Sequence, residues 1–274
     1  MQQTTHHDPY RKEASMKTEF FGNTRLDNPS AGTCDEYGLT GLKRFDDLLD
    51  ARQRLMLEHP GCTIVMSLDD LDQARYTSGH ARLGLGLDQP DATELAHLPA
   101  CCFEHGEYVG YTSCKAEFAM CLRNLRQHVV ATTFADACAH GLTLDDEALQ
   151  GWVQAQRAPL AVVEQPLIAL VVPVLNSADA LVAFPNGYFE SDLDPAMNHA
   201  VVSRLQGLGY GLFGVGATYL GLLRDAPADA ATATAVAQAF AALYNVEAAQ
   251  RDALIRVVIC AVSGQRHLWL RYVE

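Results

Sequence analysis

Lysine is scarce in this chain. Only Lys12, Lys17, Lys43 and Lys115 occur among 274 residues, and the formal net charge is −13 with a pI near 5.1. Binding to a phosphate backbone depends on clustered Lys and Arg that displace counterions, so a nucleic-acid partner is not expected. Long apolar runs are missing too. The longest, residues 167–175, contains Pro173 and is too short to span a bilayer. The first fifteen residues, with His6-His7-Asp8 and Arg11-Lys12-Glu13, hold no apolar run; neither a secretory signal nor a membrane anchor is expected there, and residues 1–16 are expected as a disordered extension. The eight cysteines, Cys34, Cys62, Cys101, Cys102, Cys114, Cys121, Cys138 and Cys260, lack the compact spacing of a secreted disulfide framework. They fit reduced, mostly buried thiols in a cytoplasmic protein. Also absent are a serine nucleophile elbow, a His-Glu-x-x-His pair and a kinase signature. The segment Gly214-Val215-Gly216-Ala217-Thr218 lacks the final Gly and the Lys-Ser/Thr of a phosphate loop and reads as a hairpin. No cofactor is implied, and there is no fixed-period repeat.

What the chain does have is 49% apolar residues, enough for a substantial core. Asn, Gly, Ser and Thr predominate over 17–38, where a loop with at most one short edge strand is expected. A helix is expected from 40 to 59, carrying Leu42, Phe45, Leu48, Leu49, Met56 and Leu57 and stopped by Pro60-Gly61. A buried strand follows at 62–66. Ser67 reads as the cap of a helix over 68–76 whose first turn holds Asp69, Asp70 and Asp72, where carboxylates meet the helix dipole. Alternation over 80–87 reads as a glycine-weakened strand, and long helices are expected over 113–139 and 143–157. Ala158-Pro159 marks the expected boundary between a helix-rich subdomain, 17–158, and an α+β subdomain, 159–274. The latter should open with strands at 160–163, 167–175 and 181–184.

The last third is the most legible. Asp194-Pro195 pairs a capping carboxylate with a proline at the first helical position. Two apolar runs, 210–215 and 218–223, flank Gly216-Ala217 as an antiparallel pair. Asp229 caps an alanine-rich helix, a second helix is expected over 252–262, and 267–273 alternates as a terminal strand. This order, Tyr210-Gly211, then Arg224-Asp225-Ala226-Pro227, two helices and a strand with Trp269, resembles the C-terminal domain of a bacterial family of unknown function encoded near toxin–immunity loci. Where that family has Cys-Pro-Asp this chain has Tyr244-Asn245-Val246, and its end reads Leu268-Trp269-Leu270-Arg271-Tyr272 rather than paired tryptophans and an aspartate. The resemblance implies an immunity-type role and carries over no functional residue.

Three candidate sites stand out. Cys102, His105, Cys114 and Cys121 could converge on a metal, because 114, 121 and 128 are spaced by sevens along one helical stripe, although no Cys-x2-4-Cys knuckle is present. Cys102 or Cys114 with His105 or His128 could serve as a thiolate–imidazole pair, but no motif supplies an orienting third residue or an oxyanion hole. For both, buried core thiols are the simpler expectation. The third is an interaction surface of Tyr188, Phe189, Glu190 and Asp192 with Asp69, Asp70 and Asp72. Aromatics there would provide anchoring area, and carboxylates would steer a basic partner. The expectation is therefore an α+β protein with a helix-rich N-terminal half and a mixed or antiparallel sheet flanked by helices in the C-terminal half. Functionally it is expected to be a non-enzymatic, cytoplasmic protein-binding protein of the immunity type, binding a basic protein such as a toxin, with a small Cys/His-dependent hydrolase or transferase as the alternative.

Overall fold

The sequence Leu-Ile-Ala-Leu-Val-Val at 167–172 has no polar position on either face, and a strand of that kind belongs in the middle of a covered sheet. In the computed structural model, which describes residues 16–22, 32–110 and 114–273, it occupies that place. The elements run β1 (Lys17–Gly22), β2 (Asp35–Thr40), α1 (Phe45–Glu58), β3 (Thr63–Ser67), α2 (Leu71–Gly84), α3 (Ala92–His97), β4 (Phe103–Glu104) and β5 (Glu107–Tyr108). Then follow α4 (Phe118–Ala131), α5 (Phe134–His140), α6 (Asp146–Arg157), β6 (Leu167–Val172), α7 (Pro195–Gln206), β7 (Gly211–Val215), β8 (Tyr219–Leu223), α8 (Ala230–Leu243), α9 (Ala248–Val262) and β9 (His267–Arg271). Seven strands form one mixed sheet in the order β1-β2-β6-β3-β7-β8-β9, antiparallel except where β3 meets β7; β4 and β5 form a separate hairpin. The fold is α+β, as expected.

The expected division at Ala158 is corrected by this order. β6, from beyond that point, lies between β2 and β3, from before it, and both of its edges are hydrogen-bonded to them. α6 packs on β9: Trp152 Nε1 donates to Trp269 O at 2.7 Å, Gln156 Nε2 to His267 O at 2.8 Å, and Trp269 N to Gln156 Oε1 at 3.1 Å. A single buried cluster runs from Cys34 to Tyr272 through both halves. The chain therefore builds one core from both sides of the expected boundary.

Caps follow the sequence closely at α7 and α8, where Asp194 and Asp229 accept from the backbone N–H three residues on; α6 is capped by Asp145, which accepts Ala148 N, two residues after Thr143, the expected start of that helix. Other expectations fail for local reasons. The loop expected over 17–38 contains β1 and most of β2, paired antiparallel. Ser67 closes β3 and accepts Ile168 N at 3.0 Å, so the next helix starts later, with Asp70 as its cap. Residues 80–87 are not a strand, because α2 continues to Gly84; its buried face is made of Ala74, Thr77, Ser78 and Ala81, small residues that leave no apolar signature. The strands expected at 160–163 and 181–184 are 3-10 turns, Pro159–Val162 and Asp179–Ala183. The helix expected over 113–139 breaks at Thr132, and Thr133 caps α5 in a reciprocal box with Asp136. The expected disordered extension falls, up to residue 15, outside the described residues.

Candidate interaction face and thiol cluster

α2 presents one continuous stripe to solvent. Asp72, Tyr76, His80 and Leu83 follow at helical spacing, and Tyr76 and Leu83 are 58% and 60% exposed. The Tyr76 and His80 rings stand 4.4 Å apart between centroids, His80 and Tyr188 4.7 Å, and Tyr188 and Phe189 5.1 Å. Four rings thus run in contact from the helix onto the loop after Asn186, with Tyr188 and Phe189 about half exposed. Such an aromatic surface is unusual away from a binding face, since scattered single hydrophobics are the norm.

The loop is held from behind. Thr77 Oγ1 donates to Asn186 Oδ1 at 2.6 Å, and Asn198 Nδ2 donates to the carbonyls of Asn186 and Leu193 at 2.9 and 2.8 Å. Gly187 has φ +105°, and a Cβ there would lie 1.8 Å from Leu193 O, so only glycine fits. Asp192 is buried, and its Oδ2 accepts Tyr188 N and Phe189 N at 3.2 and 3.1 Å. Asp192 therefore shapes the loop and is not a surface contact, which corrects its expected role. Asp69 is likewise engaged inside the molecule: its carboxylate accepts Thr218 N at 2.9 Å and Tyr219 N at 3.4 Å, and its carbonyl accepts Ala217 N at 3.0 Å. Asp70, Asp72 and Glu190 are exposed. Of the seven expected interface residues, Tyr188, Phe189, Glu190, Asp70 and Asp72 are at the surface. Tyr76, His80 and Leu83, which sequence reasoning missed, complete the face; their helical spacing was hidden by reading 80–87 as a strand.

A cavity of about 360 Å3 opens beside this face between Arg75, Tyr76, Gly79 and Leu83 of α2 and Val109-Gly110 beyond the β4–β5 hairpin. Toward the N-terminal end of α2 a second cavity of about 320 Å3 lies against β1, lined by Lys17, Phe21, Leu71, Asp72 and Ile168. Arg75 borders both. Its Nη2 contacts both oxygens of buried Glu36 at 2.9 Å, anchoring α2 to β2.

The cysteines group differently from expectation. Among the described residues, the Sγ atoms of Cys101, Cys102 and Cys114 lie within 4.8 Å of one another, while His105 and Cys121 are not part of the group. His105 sits exposed in the hairpin turn at φ +52°, and Cys121 is buried in α4. The sevens stripe fails because Cys114 precedes the helix and caps a 3-10 turn, Lys115–Glu117. Burial, followed by the charge of Glu117, pushes the Cys102 thiol up to about 12, and burial pushes Cys121 to about 12 as well. A nucleophilic thiolate needs the opposite shift, which weighs against the thiolate–imidazole reading.

One further constellation has the residue types of a hydrolase. His199 Nε2 and Asp179 Oδ1 are 2.9 Å apart, and Ser203 Oγ lies 3.4 Å from His199 Nδ1. Ser203 is in the interior of α7, where backbone N–H groups are consumed by the helix and none is left for an oxyanion. Arg126 also donates to Asp179 Oδ2 at 2.6 Å. Burial alone would raise the Asp179 carboxyl, but the hydrogen bonds and charges of Arg126 and His199 outweigh it and hold the group below the ordinary carboxylate range. The cluster ties α4, the Asp179–Ala183 turn and α7 together. No helix among the described residues is long and apolar enough to cross a membrane. Comparison of the chain with protein-family models, with curated proteins and with solved structures gave no match.

Proposed function

We propose that this chain is a non-enzymatic protein-binding protein that docks a basic protein partner on the stripe of α2 and the adjoining loop, as an immunity protein occludes a toxin. The observation that carries this reading is the contiguous run of Tyr76, His80, Tyr188 and Phe189 at the surface, braced from within by Asn186, Asp192 and Asn198. Rigid aromatic side chains lose little entropy on binding and make effective anchors. Asp70, Asp72 and Glu190 beside them, on a chain of net charge −13, favour encounter with a positively charged surface. The eight free thiols suit a reducing setting, and we infer a cytoplasmic one.

The test is capture of the partner from the source cell, followed by calorimetric titration of the purified pair at low and moderate salt. Affinity should fall as salt rises. Tyr76→Ala and Tyr188→Ala should each weaken binding by about tenfold or more, equivalent to about 1.4 kcal/mol, with the melting temperature little changed. A stoichiometric partner whose affinity ignores both substitutions would show that this face is not the docking surface.

A further inference from the structure

Cys101, Cys102 and Cys114 are brought together by packing that does not depend on their sulfurs. Cys101 and Cys102 lie in a 3-10 turn, Ala100–Cys102, that leads into the β4–β5 hairpin, and the hairpin returns the chain so that Val109 N donates to Cys102 O at 3.1 Å. Tyr108 OH then donates to Glu117 Oε1 at 2.8 Å, while Glu117 Oε2 accepts Cys114 N at 2.9 Å. Glu117, itself buried, therefore joins the end of the hairpin to the residue that carries the third thiol. The three Sγ atoms fall within 4.8 Å of one another. Sulfurs bound about 2.3 Å from a tetrahedral ion stand about 3.8 Å apart, so small side-chain rotations close the set. Exposure is graded across the group: Cys102 is buried, Cys114 half-buried and Cys101 exposed, which leaves one side open to solvent.

We propose that Cys101, Cys102 and Cys114 form a three-thiolate site for a soft divalent metal ion of the zinc and cadmium type, with the fourth coordination position facing solvent. The all-sulfur donor set selects against Mg2+ and Ca2+, which require oxygen ligands. The Glu117 carboxylate beside the thiols favours a divalent over a monovalent ion, because the extra positive charge offsets more of the negative charge gathered there. Binding exchanges S–H bonds for S–metal bonds and releases the thiol protons to solvent. Because the thiols bind only after losing their protons, affinity rises with pH. The ion ties the turn that leads into β4 to Cys114 ahead of α4, and the chain between them includes Val109 and Gly110, which wall the cavity beside Tyr76 and Leu83. This inference stands on the thiol geometry and does not rest on the proposed function.

The experiment uses the reduced, metal-free full chain, titrated with Cd2+ while the thiolate-to-metal charge-transfer absorbance is followed, and with Zn2+ against a chelator of known affinity. One ion per chain is expected, bound more tightly as pH rises, with slower amide exchange at 103–108 in the loaded protein. Cys101→Ser, at an exposed position, and Cys114→Ser should each reduce affinity by more than about tenfold, a loss that even an outer-shell partner can cause. Cys260→Ser, an exposed thiol on α9, should change nothing. Absence of the charge-transfer band, or uptake undiminished in a Cys101→Ser/Cys114→Ser double variant that melts like the wild type, overturns the proposal.

Discussion

Asp69 shows how one residue can look like a surface charge and act as a strut. Its carboxylate holds the β7–β8 turn through Thr218 N and Tyr219 N, and Gly216 opposite it has no room for a Cβ, which would stand 1.9 Å from Asp69 Oδ1. Burial pushes the carboxyl up, and the hydrogen bonds from Thr218 and Tyr219 only partly oppose it. A carboxyl whose folded pKa is raised contributes its stability below the ordinary carboxylate range and loses it as pH rises through the raised value. Asp69→Asn removes the titration but keeps only one of the two accepting oxygens and sets its NH2 against the other N–H. Its melting temperature should therefore vary less between about pH 4 and pH 7 than that of the wild type, at the cost of one of the two hydrogen bonds. Asp69→Ala should instead lose about 1–3 kcal/mol, because two N–H groups are left without partners. Thermal melts of both variants across that pH range separate the two effects. In the sequence, Asp69 was indistinguishable from Asp70 and Asp72; only the partner strands, far along the chain, give it a different role.

At the scale of elements, the proposed binding face depends on the geometry of the 186–192 loop more than on its charge. Gly187→Ala places a side chain against Leu193 O and forces an L-residue into a positive-φ conformation, itself worth about 1–3 kcal/mol of strain. The expected result is a melting temperature lower by several degrees together with weaker partner binding, at about 2–4 °C per kcal/mol for a chain of this size. Glu190→Lys, at an exposed position, should slow association without changing the melting temperature. Calorimetric melts with association kinetics check the pair. The elements that sequence reading found were those with strong punctuation: Asp194-Pro195, Asp229 and the glycine-flanked β7–β8 pair all stand where local chemistry indicates. Those it misread carried their information in packing. α2 buries small residues and exposes Tyr76 and Leu83, which inverts the usual pattern and places these side chains on the proposed face.

For the whole molecule, local signals could not reveal that the sheet threads both halves. Pro159 punctuates the chain after α6, but punctuation in sequence is not separation in space, and β6 inserts between β2 and β3 because its two apolar faces and both edges need cover. The full chain should therefore unfold in one transition, and a fragment of residues 159–274 should lack native near-ultraviolet circular dichroism, since it would lose the strands on both sides of β6 and the α6 partners of Trp269. The proposed face is built across the same divide, with Tyr76 and His80 on one side of residue 158 and Tyr188 and Phe189 on the other, so binding and folding of the whole chain go together. Hydrogen–deuterium exchange of the chain with and without its captured partner tests that claim most directly. Protection confined to α2 and residues 186–190 is the predicted result; protection over α8 and α9 with α2 unchanged would contradict it.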